Sequence, residues 1–174
     1  GDDKIYVGSF AGFWDTDKGD RLGYRIDPLV SEAQFINSQG NLHGITKALK
    51  VDSGAGSDLV VVDDTGDSVA NTDGNLTSSE LTGLGIVTNF SIHYNENSNT
   101  EEINVNLGIS NDEFTVESTS ATTVTRIEGR GGNDRINVKT NSGSTLLYGD
   151  SQTNTVTIGT QSVIVNESGI ETTC

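Results

Sequence analysis

The sequence is poor in several residue types, and each scarcity narrows the possible folds. Cys174, the last residue, is the only cysteine, so no disulfide forms within the chain and the thiol is either free or part of an intermolecular link. No apolar run approaches the roughly 18 residues that a membrane-spanning helix requires. The residues present therefore encode neither a disulfide-stapled scaffold nor an apolar membrane helix.

Basic residues are also scarce, with 10 Lys and Arg against 25 Asp and Glu and a formal net charge of −15. This balance argues against a nucleic-acid partner, and it suits cation binding or a well-solvated extracellular surface. Apolar residues make up only 32% of the chain. Low hydrophobicity with high net charge is also typical of disorder. The inference that the chain folds therefore has to rest on the periodic pattern of its residues.

Glycine, by contrast, occurs 21 times and proline once, and Thr, Ser, Asn and Val are plentiful. This composition favours strands and turns over helices. At 174 residues the chain has the length of one domain, 1–174.

One motif, a glycine-rich turn followed by an acidic residue and a short apolar strand, recurs along the chain. It is clearest in "IEGRGGNDRINV" (127–138), and its five copies align on Asp3, Asp58, Asp112, Asp134 and Asn154. The later copies lie 22 and 20 residues apart. A period near 20 residues predicts stacked repeats, with glycine supplying positive φ at each corner and Asp or Asn accepting hydrogen bonds from the turn.

The apolar residues support this alignment with a strict period of two. Two and four residues after each aligned position stand Ile5 and Val7, Val60 and Val62, Phe114 and Val116, Ile136 and Val138, and Val156 and Ile158. A second column precedes the corner at Leu49 and Val51, Ile103 and Val105, Thr125 and Ile127, and Thr145 and Leu147. The pattern predicts two strands per repeat, with Phe114 stacked between Val60 and Ile136.

We therefore expect an all-β, single-stranded, right-handed parallel β-helix of about seven coils. Residues 8–48 and 63–100 are expected to be irregular, loop-bearing coils, and 101–158 regular ones.

The corner sequences resemble the calcium-binding nonapeptide G-G-x-G-x-D-x-U-x of RTX proteins, in which U is a large apolar residue. "SGAGSDLVV" differs at Ser53 and "GRGGNDRIN" at Arg130, while "LGISNDEFT" keeps Gly108, Asp112 and Phe114. Most of 42–158 resembles tandem haemolysin-like modules of very large bacterial and protist surface proteins. The resemblance implies a parallel β-helix in an extracellular or cell-surface array.

Stacked corners would bring carboxylates and carbonyls together, which is a suitable environment for Ca²⁺. The candidate ligands are Asp112 and Asp134, which would share one ion, and Asp58, which would offer a separate partial site. Calcium would then raise the melting temperature. "DTDKGD" offers a second set in Asp15, Asp17 and Asp20. The alternative is that all of these acids belong to polar loops or cap turns.

No catalytic motif stands out, and we expect a protein that is not an enzyme. The two histidines, His43 and His93, lie in no recognisable acid–base constellation. Three sequons, at Asn75, Asn89 and Asn166, matter only if a eukaryote secretes the protein, and Asn75 is expected on an acid-rich loop.

The expected function is a structural or adhesive module of an extracellular or cell-surface tandem-repeat or filament protein. The alternative is a protein that binds or modifies carbohydrate. The motif at Gly1 begins partway through a corner, and "QSVIVNESGIETT" is still strand-like. Neighbouring repeat modules or identical subunits are therefore expected to cover both ends.

Overall fold

A computed structural model describes residues 1–8, 40–97, 99–149 and 152–159 in full, and the backbone alone of 161–165 and 170–172. These residues form short strands joined by turns. The strands are β1 Lys4–Val7, β2 Leu49–Lys50, β3 Leu59–Asp63, β4 Gly74–Leu76, β5 Glu80–Thr82, β6 Ile92–His93, β7 Glu102–Asn106, β8 Glu113–Val116, β9 Val124–Glu128, β10 Arg135–Val138, β11 Thr145–Tyr148, β12 Asn154–Ile158, β13 Gln161–Val165 and β14 Ile170–Thr172. Nowhere in these described ranges is there a helix long and apolar enough to cross a membrane.

The strands form two sheets. The first sheet has the order β1-β3-β7-β9-β11-β14, and the second has the order β13-β12-β10-β8-β4-β5-β6-β2. From β7 to β12, successive strands alternate between the sheets, and each pairs in parallel with its equivalent one repeat away. Phe114, Ile136 and Val156 are register partners in the second sheet, so the predicted spacings of 22 and 20 residues are confirmed.

The expectation of a parallel β-helix running through the whole chain is wrong. The second sheet is mixed, because β5 runs antiparallel to both β4 and β6. Near the C-terminal end of the chain, β13 and β14 fold back antiparallel onto β12 and β11. Segments such as "NLTSSEL" leave only a few residues between one strand and the next. So short a connection suits antiparallel neighbours, whereas a parallel crossover needs a dozen or more residues.

The stacking predicted for Val60 is also wrong. Val60 belongs to the first sheet, where it pairs with Ile5 and Ile103. Phe114 belongs to the second sheet and lies between Gly74 and Ile136. The two corners look alike in sequence, but they lead into different sheets, and local periodicity does not say which.

The inward-facing residues of both sheets form one core. Phe114, Ile103 and Ile127 are fully buried within a single hydrophobic cluster. Gly74 makes room for the largest of them, because a Cβ at this position would lie 2.5 Å from Cδ2 of Phe114.

The glycine-rich corner around residue 130 has the positive φ angles that its sequence predicts. Gly132 has φ of +102°, and a Cβ there would lie 2.2 Å from the carbonyl oxygen of Ser110. Arg130 takes the position of a motif glycine and keeps a left-handed φ of +66°, close to the +86° of Gly54 at the equivalent position. Its guanidinium contacts Asn106 and Glu128, both at 2.7 Å, and these contacts offset the backbone strain.

Candidate functional site

Four buried side chains connect successive corners on the side of the second sheet, and we call Asn71, Asp112, Asp134 and Asn154 the acid ladder. The amide N–H of Asn71 donates to Oδ1 of Asp112 at 2.8 Å. The N–H of Asp112 donates to Oδ1 of Asp134 at 2.9 Å, and that of Asp134 to Oδ1 of Asn154 at 2.8 Å. The side chains of Asp112, Asp134 and Asn154 therefore each accept a backbone N–H from a neighbouring layer.

Asp58 belongs to a separate ladder at the first sheet. The N–H of Asp3 donates to Oδ1 of Asp58 at 2.7 Å, and the N–H of Asp58 donates to Oε2 of Glu101 at 2.8 Å. The structure thus places Asp112 and Asp134 in adjacent layers and Asp58 at a separate corner.

These acids act mainly as backbone acceptors. Both oxygens of Asp112 accept N–H groups, Oδ2 from Gly108 at 3.0 Å. Within the described ranges, no three His, Cys, Asp or Glu side chains are arranged to hold a metal ion. Asp15, Asp17 and Asp20 lie outside the described residues. Calcium binding stays a prediction, and the acids' role as turn caps is what the hydrogen bonds support.

A second group of buried acids lies where the acid ladder begins, and we call Asp63, Asp64, Asp67 and Asp112 the carboxylate cluster. All four are at least 96% buried. Burial raises the pKa of Asp64 to about 8, and the neighbouring negative charges of Asp67, Asp112 and Asp63 add to this, against an opposing hydrogen bond from the N–H of Leu42. Burial also raises the pKa of Asp112. Burial beside these like charges therefore favours the protonated form of Asp64.

His43 closes the carboxylate cluster on its exposed side. Its Nε2 lies 3.0 Å from Oδ2 of Asp67, and its ring packs against Gly85, where an added Cβ would collide with it. Oδ2 of Asp67 also accepts a hydrogen bond from Nδ2 of Asn71 at 2.8 Å. These contacts give His43 a structural role.

His93 lies in a different environment, on the outer face of the second sheet. Its Nε2 is 2.9 Å from Oγ of Ser91, and its Nδ1 is 3.0 Å from Glu80 and 3.2 Å from Glu96. Glu96 also pairs with Lys50. Sequence reasoning missed this cluster because Glu80 reaches His93 only through the pairing of β5 with β6. The local signal was the Ser-x-His spacing of Ser91 and His93 at the start of β6.

The outer face of the first sheet carries an aromatic side chain with a cation above it. The guanidinium carbon of Arg126 lies 4.0 Å from the ring centroid of Tyr148. Glu128 binds Arg126 and Arg130, each at 2.7 Å. Since Arg126 covers one face of Tyr148, that face is not available for stacking against a sugar ring.

The two sequons within the described residues lie in different environments. Asn75 lies in β4, half-buried between paired strands, and not on a loop. Asn89 is exposed on a turn with φ of +73°. Asn166 lies outside the described residues, as does Cys174.

Comparison with known proteins adds no relative: no family model, no curated protein and no solved structure matches the chain.

Proposed function

We propose that this chain is a structural module of an extracellular or cell-surface protein, in which tandem modules or identical subunits are joined. The observation that carries the proposal is the acid ladder. Buried polar side chains serve here to lock one layer of strands to the next.

The ladder matters because buried backbone N–H groups at corners have to find an acceptor. In most turns the acceptor belongs to the same turn. Here Asp134 and Asn154 supply it from the neighbouring layer, 22 and 20 residues further along the chain. A slip of one layer against the next would break these bonds together with the strand pairing, so the arrangement favours rigidity over movement.

The surface supports the same function. A net charge of −15 keeps a repeated protein soluble and its copies apart except at specific contacts. The resemblance of the corner motifs to haemolysin-like surface modules points to the same class of protein. Calcium is not part of the proposed mechanism, which rests on the backbone hydrogen bonds that Asp58, Asp112 and Asp134 accept.

Stretching single molecules of the full chain between two handles tests the proposal. We expect the chain to resist extension as one unit and then to unfold abruptly, with Asp134→Ala unfolding at a lower force. Thr115→Ser, on the outer face of β8, serves as the matched control and should unfold at the force of the unaltered chain. Gradual extension at low force would contradict a structural role.

Screening against neutral and acidic polysaccharides tests the competing function. A structural module gives no saturable binding. Saturable binding to one polysaccharide would favour the carbohydrate alternative over the proposal.

A further inference from the structure

We propose that Ser91 is an activated nucleophile that accepts an acyl group from a small uncharged ester, with His93 as its general base and Glu80 and Glu96 orienting the imidazole. Nothing in the structural function requires this cluster. The inference stands on its geometry alone.

The strand pairing creates the cluster. Ser91 and His93 are two residues apart, so they lie on the same face of the sheet, while Ile92 between them is fully buried in the core. Glu80 lies directly opposite His93 in the antiparallel pair of β5 and β6, where facing side chains are closest. Glu96 approaches the same ring from the loop that follows β6.

The hydrogen bonds determine the tautomer of His93. Ionised Glu80 and Glu96 are acceptors only, so Nδ1, which faces both at 3.0 and 3.2 Å, carries the proton. In the neutral ring Nε2 is then an acceptor, and Oγ of Ser91 donates to it at 2.9 Å. This is the arrangement in which a histidine removes a proton from a serine hydroxyl and a carboxylate stabilises the resulting imidazolium.

The reaction that follows is acyl transfer. Oγ of Ser91 bonds to the carbonyl carbon of the ester while its proton passes to Nε2 of His93. The bond to the leaving alcohol breaks, and the alcohol takes the proton from His93, leaving acyl-Ser91. Water then attacks the acyl carbon and gives a proton to Nε2 of His93. His93 passes this proton to Oγ of Ser91 as the bond between Oγ and the acyl carbon breaks, so that the carboxylic acid leaves and both Ser91 and His93 are restored.

Burial and charge define the substrate class. Ser91 is 8% exposed and the side chain of His93 is 24% exposed, so the site suits a small acyl group. Glu80 and Glu96 beside the imidazole outnumber the cation Lys50, which pairs with Glu96, and together with a net charge of −15 they repel anions. An uncharged ester of a short carboxylic acid fits both conditions.

Diisopropyl fluorophosphate, a small neutral reagent, tests the nucleophile on the full chain. Oγ of Ser91 displaces fluoride and gains the diisopropylphosphoryl group, which intact mass and peptide mapping detect. We expect one adduct, on Ser91, and its loss in Ser91→Ala. Ser120 is a half-buried serine whose Oγ lies 3.0 Å from the hydroxyl of Thr122, with no histidine as its partner in that contact, and it should react only at background rate.

His93→Gln separates activation from mere accessibility. If its melting curve matches that of the unaltered chain, the rate of labelling at Ser91 should fall about a hundredfold, the usual contribution of a general base. Glu80→Gln, which leaves Glu96 on the ring, should give a smaller fall. p-Nitrophenyl acetate should in turn acetylate Ser91 and release nitrophenolate, and Ser91→Ala should abolish both.

Three results would overturn the proposal. They are the absence of an adduct on Ser91, labelling of Ser91 that is undiminished in a folded His93→Gln chain, and nitrophenolate release that persists in Ser91→Ala.

Discussion

At the scale of single residues, the acids of the corners satisfy backbone donors that lie in another layer. Asp134 accepts the buried N–H of Asp112, and its own N–H is accepted by Asn154. Loss of an acceptor leaves a buried N–H unsatisfied, which costs about 1–3 kcal/mol. The ladder is therefore a direct target for mutation.

Asp134→Ala should lower the free energy of unfolding by about 1–3 kcal/mol, while Asp134→Asn, which keeps an acceptor oxygen, should cost much less. The chain already uses an amide at the next position, Asn154. Thermal melts in millimolar calcium and in excess chelator measure both variants. If Asp134 acts as a turn cap, each variant should lose the same amount of stability in both buffers. A loss of stability seen only in calcium would show that Asp134 acts as a metal ligand.

Asp64 predicts how stability depends on pH. Its pKa is raised from 3.8 to about 8 in the folded chain, so folding takes up a proton between these values. Its contribution to stability is complete below about pH 4 and is lost as the pH rises through about 8. Asp112, whose pKa is raised by the same burial, has an effect of the same sign.

Asp64→Asn, an uncharged isostere of the protonated acid, should flatten this profile and raise stability near pH 8, by about 5 kcal/mol at most. Urea unfolding between pH 4 and 9 measures the change. Asp73→Asn is the control, since Asp73 is exposed, and it should leave the profile unchanged. A profile that Asp64→Asn does not flatten would mean that Asp64 stays ionised in the folded chain.

At the scale of the strands, β8 shows how alternation separates core from surface. Phe114 is fully buried between Gly74 and Ile136, whereas Thr115 faces outward and is half-buried. Adjacent residues of one strand therefore have opposite environments.

Phe114→Asp should unfold the chain, because it places an unpaired charge in the core. Thr115→Asp should shift the melting temperature only slightly. Circular dichroism melts of the two variants test this prediction. Equal tolerance of both changes would show that the register of β8 is wrong.

Sequence patterns predicted the strands from β7 to β12, their spacing and their inward faces, because alternation and corner glycines are local properties. They did not predict the mixed sheet. The corner at Asp58 has the same local signature as that at Asp112, yet only long-range pairing decides which sheet follows. The same holds for the cluster at His93, since Glu80 comes to it across a strand pair.

At the scale of the whole molecule, the two sheets share one core, and the ladders tie their corners together. If the module is a rigid structural unit, the corners should not open independently of the strands. That the corners and the strands open together is the central claim of the structural account. It can be tested at individual backbone amides.

Native-state amide hydrogen exchange tests it most directly. The amides of Asn71, Asp112 and Asp134 donate to ladder side chains, so we predict that they exchange with the same opening free energy as the strand amides of β8 and β10. Their exchange at much lower opening free energy, under conditions in which β8 and β10 stay protected, would contradict the claim that the ladder locks the layers into one unit.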